Sequence, residues 1–131
     1  MTLLDTDVCI SLLRGNSSIV ERIRSTSSGA SVCFMTAAEL AYGAEKSGRV
    51  DANRSLVERF LLTVPVIESE RSSMRLFGKL KAKLEAEGIR LADADLLIAA
   101  VAIDRGLILA TGNLKHFSRI PGLKAEGWLR E

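Results

Sequence analysis

Short apolar runs alternate with helical patterns along this chain, and the alternation restricts the fold more than any other feature. MTLLD (1–5), SVCFM (31–35), VPVI (64–67) and LILAT (107–111) have the length and apolar content of buried strands. Helical periodicity fills the segments between them. Strands that alternate with helices form parallel sheets covered on both faces. The sequence therefore predicts an α/β fold, a three-layer α/β/α sandwich with a mostly parallel central sheet.

The predicted helices carry their own end signals. Asn16 or Ser17 is the expected cap of a helix that Gly29 stops, another helix is expected to begin at Thr36, and Gly88 ends a long amphipathic one. Pro65 suggests an edge or strand-start position for the third strand. The tail is expected to form a short helix, a turn at 121–122 and a last strand. The predicted helical segments are 6–15, 16–29, 36–48, 50–62, 69–88 and 91–106.

Composition indicates one ordinary globular domain over residues 1–131. The chain is 47% hydrophobic and 26% charged, which excludes a disordered polymer, and its net charge of +2 is compatible with a polyanionic partner. Cys9 and Cys33 lack metal or redox spacing, so we expect reduced thiols in the core. The longest apolar stretch, 96–103, is too short to cross a bilayer, and no leader pattern is present. We expect a cytoplasmic protein without a membrane partner.

Polar side chains fall where the predicted strands end. Asp5 closes the first strand, Glu39 and Asp95 lie in first turns of predicted helices, and Thr111 and Asn113 follow the fourth strand. Ligands of open parallel sheets bind at the carboxyl ends of strands. Crowded carboxylates repel one another unless a cation lies among them, and Mg²⁺ or Mn²⁺ prefers oxygen donors. Such an ion can activate water toward a phosphodiester, so the pattern indicates metal-assisted phosphoryl cleavage.

Each acid also has a structural interpretation. Thr36 and Glu39 fit a capping box, in which the glutamate returns a hydrogen bond to the start of its helix. Asp95 could complement the helix dipole, and Asp5 could end a strand at a turn. We assign Asp93 to the cap of its helix. The joint occurrence of the acids at strand ends favours a functional site.

Four segments together resemble PIN-domain ribonucleases, in particular the VapC toxins of toxin–antitoxin pairs: LLDTDVCISLLRG, MTAAELAYGAEKS, ADADLLIAAVAIDRGLILATGNLKHFSRIPGL and EGWL. The resemblance implies a small α/β/α nuclease that cuts RNA with Mg²⁺ or Mn²⁺ held by Asp5, Glu39 and Asp95. It selects Asp95 over Asp93, because the third family acid directly precedes LLIAA. Thr6 and Thr111 match hydroxyl positions that support the site in relatives.

The chain also departs from the family pattern. Asn113, a neutral oxygen donor, replaces the fourth acid of many relatives, which puts a second tightly held metal in doubt. Asp7 stands where many relatives carry asparagine, and His116 where others carry an acid. For His116 we favour a packing or solvent-exposed role. The resemblance further implies a small antitoxin that covers the acidic groove, and a homodimer.

Two other functions remain open from the sequence. DTDV after an apolar strand is similar to the D-x-D of haloacid-dehalogenase-type phosphatases, with Asp5 as nucleophile, although their downstream motifs are not evident. Without the fourth acid, the domain could instead bind RNA or protein without turnover. A dinucleotide-binding domain is excluded because no G-x-G-x-x-G follows the first strand.

Overall fold

The computed structural model describes residues 1–129. The last two residues of the predicted domain, Arg130 and Glu131, lie outside the described residues. The described part contains five strands and seven helices. In chain order they are β1 Thr2–Leu4, α1 Thr6–Leu13, α2 Ser17–Ser25, β2 Ala30–Cys33, α3 Phe34–Lys46, α4 Val50–Leu61, β3 Val66–Ile67, α5 Arg71–Ala86, α6 Asp93–Arg105, β4 Ile108–Thr111, α7 Leu114–Phe117 and β5 Ala125–Gly127.

The five strands form one sheet in the order β3-β2-β1-β4-β5, and all pairs are parallel. β1 lies at the centre, where Leu3 is in register with Ser31 of β2 and Leu109 of β4. β3 is an edge strand that begins directly after Pro65, as expected for a residue that cannot donate to a ladder. The predicted α/β class, the parallel sheet and the last strand are confirmed.

Two helical layers cover the sheet because successive strand residues point to opposite faces. Leu3 and Leu109 belong to one core cluster, together with the apolar residues of α5 and α6. Leu4 and Ala110, their neighbours along the same strands, belong to a second cluster with residues of α1 to α4. The three-layer α/β/α sandwich is therefore the observed architecture.

Several predicted element boundaries are wrong. β2 ends at Cys33, and α3 begins at Phe34 rather than at Thr36. Phe34 and Met35 pack against the core from inside the first turn of α3, so their apolar character does not reflect a longer strand. α2 ends at Ser25, four residues before the predicted stop at Gly29, and the Thr26 hydroxyl there donates to the Arg22 carbonyl at 2.8 Å.

The structure also gives the state of the two cysteines and the character of the helices. Cys9 and Cys33 are both free and buried, as predicted for core thiols. Burial raises the pKa of both thiols, which keeps them protonated and poorly reactive. None of the helices between residues 1 and 129 combines the length and apolarity needed to cross a bilayer.

We expect Leu109→Ala to lower the free energy of unfolding by about 2–5 kcal/mol, because it leaves a cavity beneath the central strands. Leu109 is fully buried. Leu62→Ala is the matched control, since Leu62 is 87% exposed and its truncation should cost less than about 0.5 kcal/mol. Urea unfolding followed by circular dichroism measures both values. Equal losses in the two variants would contradict this placement of the core.

Candidate active site

The order of the strands determines where a site can form. From β1 the chain adds β2 and β3 on one side, then crosses to add β4 and β5 on the other. The carboxyl ends of β1 and β4 therefore border the point where the winding reverses, which is where open parallel sheets bind ligands. Asp5 directly follows β1, and Thr111 ends β4. The topology places these two residues, 106 positions apart, in contact.

Asp5 is buried at the end of β1 and is held by hydrogen bonds on both oxygens. Its Oδ1 accepts from the Thr6 backbone N–H at 2.8 Å, which makes Asp5 the N-cap of α1. Its Oδ2 accepts from the Thr111 hydroxyl at 2.7 Å. Burial and the neighbouring Asp7 charge raise the pKa of Asp5 to about 7, although the bonds from Thr111 and Thr6 lower it. A nearby cation would therefore stabilise the ionised form.

Glu39 contacts α1 and not the start of its own helix. Its Oε1 accepts from the Thr6 hydroxyl at 2.6 Å, and the same hydroxyl lies 3.2 Å from Oγ1 of Thr36. The predicted capping box is wrong, because the N-cap position of α3 belongs to Cys33 and Thr36 is a buried residue inside the helix. Since α3 starts early, Glu39 lies in its second turn, where it faces the end of β1.

Asp93 and Asp95 point to different places. The prediction that Asp93 caps its helix is wrong: α6 begins at Asp93, and Ala92 is the N-cap residue. Asp93 instead forms an exposed salt bridge of 2.9 Å with Lys81 of α5. Asp95, half-buried in the first turn of α6, has its Oδ2 3.0 Å from Nε2 of His116. Of the pair, Asp95 faces the strand ends.

Asp7 is a further acid at the same place. Its Oδ2 accepts from the Gly112 backbone N–H at 3.0 Å. Its Oδ1 is buried and has no hydrogen-bond partner among residues 1–129. A Cβ at Gly112 would lie 2.6 Å from Asp7 Oδ2 and 2.5 Å from Cδ1 of Leu129, so a larger residue would have to displace the ends of both side chains. The loop after β4 is thereby fixed against the first turn of α1.

These side chains enclose one open cavity of about 240 Å³. Five of the six predicted site residues line it, and Thr111 supports it from behind through its bond to Asp5. The cavity therefore collects carboxylates from the end of β1, from α1, from α3 and from α6. Its lining residues are Asp5, Thr6, Asp7, Ile10, Glu39, Asp95, Asn113 and Phe117.

The donor set suits a hard divalent cation, but the carboxylates are not drawn together. Within residues 1–129, no three acidic, histidine or cysteine side chains form a ready metal-ligand group. The hydrogen bonds described above use one oxygen each of Glu39 and Asp95 and leave the other free to coordinate. Mg²⁺ and Mn²⁺ bind such oxygens and retain waters. The residues thus fit the ion chemically, and binding has to bring their side chains closer.

Asp7 is an additional acid at the cavity, and His116 has a polar partner besides its packing contact. Asp7 lies two residues after Asp5 in the first turn of α1, so a helix starting at Thr6 already places both side chains near one strand end. The half-buried ring of His116 packs edge-to-face on Phe117, in line with the packing role expected for it, and it also lies at Asp95. The only indication in the sequence that His116 lies near the site is that its short helix, α7, begins after just two residues beyond β4.

Comparisons with known proteins identify the family of this chain. Residues 2–123 match the PIN domain family. The chain is 35% identical to the tRNA(fMet)-specific endonuclease VapC of Salmonella typhimurium, with 96% of each chain covered, and 34% identical to ribonuclease VapC2 of Haemophilus influenzae, with 97% of each covered.

Solved structures give the same result. The DNA-bound VapBC of Salmonella typhimurium superimposes with a TM-score of 0.93 at 34% identity, and the promoter-bound VapBC2 of Rickettsia felis with 0.92 at 30% identity. In both cases 98% of each chain is covered. Fold and nearly full-length similarity therefore agree, and the chain belongs to the PIN domain family, among the VapC ribonucleases.

Proposed function

We propose that this protein is a Mg²⁺- or Mn²⁺-dependent endoribonuclease and the toxin of a type II toxin–antitoxin pair. The observation that carries the proposal is the convergence of Asp5, Glu39 and Asp95, from three distant segments, on one cavity at the switch point of the sheet. Repulsion makes such a cluster unfavourable without a cation. The relatives named as ribonucleases cover the same full length.

The three carboxylates would hold the ion, which when bound supplies a water of lowered pKa and charge stabilisation at the phosphodiester. The remaining residues orient these ligands. Thr111 fixes Asp5, and Thr6 fixes Glu39 through short hydrogen bonds. Asn113 lines the cavity and offers a neutral amide oxygen where many relatives carry an acid. Thr6, Thr111 and Asn113 thus position groups around the reacting phosphate without carrying charge.

An apolar groove beside the site supports the antitoxin half of the proposal. It has a volume of about 280 Å³, lies between α1, α3 and α4, and shares Ile10 and Glu39 with the acidic cavity. A segment with apolar anchors and one cation could fill the groove and neutralise the carboxylates together. VapBC complexes of relatives contain toxin and antitoxin, which favours a partner for this chain. The homodimer stays a prediction.

The two alternative functions have less support. The match over residues 2–123 is to the PIN domain, which leaves the dehalogenase-type phosphatase without a basis. Asp7, the expected general acid of such a phosphatase, accepts a hydrogen bond from Gly112 instead of standing free. A binding module without turnover would keep the fold and lack metal-dependent cleavage, so the experiment below separates it from a nuclease.

We expect Asp5→Asn and Asp95→Asn to reduce Mn²⁺-dependent RNA cleavage by more than about 100-fold, and Thr111→Val by about 10–100-fold, because the first two remove ligands and the third an orienting partner. Inducible expression with sequencing of new RNA 5′ ends, and cleavage of that RNA by purified protein, measure the effects. Asp51→Asn is the matched control, since its side chain is 99% exposed on α4.

Circular dichroism first establishes that each variant is folded. Cleavage that persists in folded Asp5→Asn protein, or that is equally fast in EDTA, would contradict the proposed function. Wild-type protein that binds RNA without producing new ends would instead support the non-catalytic alternative.

The raised pKa of Asp5 predicts a pH effect on the metal-free protein. Between 3.8, the ordinary value, and about 7, the folded state holds a proton that the unfolded state has lost. The free energy of unfolding should therefore fall as pH rises through this window, and Asp5→Asn should flatten the slope. Urea unfolding in EDTA at about pH 5 and about pH 8 tests this, because the two values lie on either side of the upper transition.

Mn²⁺ should reverse the trend, since the ion binds only the deprotonated carboxyl and so stabilises the protein more at higher pH. Asp51→Asn again serves as control and should keep the wild-type slope. An unchanged slope in Asp5→Asn protein would show that Asp5 does not titrate in this range.

We expect the product of a short neighbouring reading frame to bind this protein and stop both RNA cleavage and growth arrest. Inhibition by this product should depend on its contacts in the apolar groove, because Leu40 and Val57 form the apolar wall next to Glu39. Co-expression, co-purification and a growth assay measure this. A neighbouring product that leaves cleavage unchanged would contradict the toxin assignment and leave the nuclease assignment intact.

A further inference from the structure

A second cavity adjoins the acidic one and has the opposite charge. Asn113, Lys115, His116 and Arg119 line an open volume of about 360 Å³. Asn113 lines the acidic cavity as well, so the two cavities share a wall. Lys115 and Arg119 come from α7 and the turn after it, directly beyond the carboxyl end of β4. The fold therefore places two cations immediately beside a row of carboxylates.

These cations are available to a ligand. Among the salt bridges of residues 1–129, none involves Lys115 or Arg119, and no carboxylate lines their cavity. Both side chains belong to exposed residues. A lysine and an arginine that converge on one solvent-filled cleft repel each other, and an anion removes that repulsion.

His116 fixes the position of the cleft relative to the acids. Its Nε2 lies 3.0 Å from Oδ2 of Asp95, so α7 is tied directly to one of the proposed metal ligands. Phe117, the next residue, is buried in the core and anchors α7 from below. The position of α7 relative to the carboxylates is therefore set by packed structure, and the exposed Lys115 side chain extends from this helix.

We propose that Lys115 and Arg119 bind a backbone phosphate of the RNA substrate next to the one that is cut, an inference that rests on the proposed ribonuclease function. A polyanion passing over the acidic cavity needs a neighbouring cationic contact, because carboxylates alone repel its flanking phosphates. Arginine binds phosphate through its planar fork and lysine as a point charge. His116 acts as a positioning residue for this cleft. Because this contact involves the RNA backbone and no base, it determines where the RNA strand lies relative to the carboxylates and not which sequence is bound.

The test compares two double variants in the non-cleaving Asp5→Asn background. Lys115→Gln with Arg119→Gln removes the cleft charges. Lys124→Gln with Arg24→Gln is the matched control, because Lys124 directly precedes β5 at the amino end of the parallel sheet, away from the cleft, and Arg24 lies in the last turn of α2. The probe is fluorescein-labelled oligouridylate of about 10 nucleotides, long enough to cover one binding groove. Fluorescence anisotropy in Mg²⁺ over a KCl series gives Kd and its salt dependence.

We expect the cleft variant to raise Kd at least about tenfold, as lost charged contacts do. The slope of log K against log salt should decrease by about 0.7, the contribution of one single-strand phosphate contact. In otherwise wild-type protein, the same variant should raise KM and leave kcat within about threefold, because it weakens binding outside the reacting group. The control pair should change none of these values.

An unchanged Kd and salt slope in the cleft variant would overturn the proposal. The same holds if only binding of the neighbouring reading frame's product weakens, since the cleft would then serve a protein partner. Failure of the ribonuclease function is recognised separately, by wild-type protein that produces no new RNA ends with Mn²⁺. The anisotropy comparison still tests the cleft in that case.

Discussion

The hydrogen bond between Thr111 and Asp5 joins the two central strands at the one place where the sheet leaves a gap for a ligand. It orients a buried carboxylate whose ionisation is opposed by burial and by Asp7. The bond lowers the pKa of Asp5 but does not offset the other two effects. The surrounding fold therefore keeps a carboxyl that is costly to ionise, and the stabilisation it lacks is what a bound cation would provide.

The other two proposed metal ligands are also held by hydrogen bonds between different elements. Thr6 connects α1 to Glu39 of α3, and His116 connects α7 to Asp95 of α6. Each acid is thus paired with a neutral or titratable partner from another segment. Single hydrogen bonds between rigid elements hold side chains more reproducibly than loops do, and catalysis by orientation depends on that precision.

The sheet and the position of the acids were predictable because they follow from strand order and from residues that end strands. Asp5 directly follows β1 and Thr111 ends β4, and the apolar runs of these two strands are unambiguous. The contacts of Glu39 and Asp93 were not predictable, since a capping pattern and a functional acid use the same letters. Thr36 matched a cap motif but lies inside α3, where the core takes up Phe34 and Met35. The contact between His116 and Asp95 was also not predictable, because it depends on tertiary packing between two segments that lie 21 residues apart.

The outer strands are very short: β3 has two residues and β5 has three. They expose few unpaired backbone N–H and C=O groups, so a second chain finds little template for strand addition. Within residues 1–129, self-association must therefore use helix surfaces, where Tyr42, Leu62 and Met74 are the large apolar side chains most open to solvent. Folded copies of this protein therefore offer one another little strand edge on which cross-β stacking could begin.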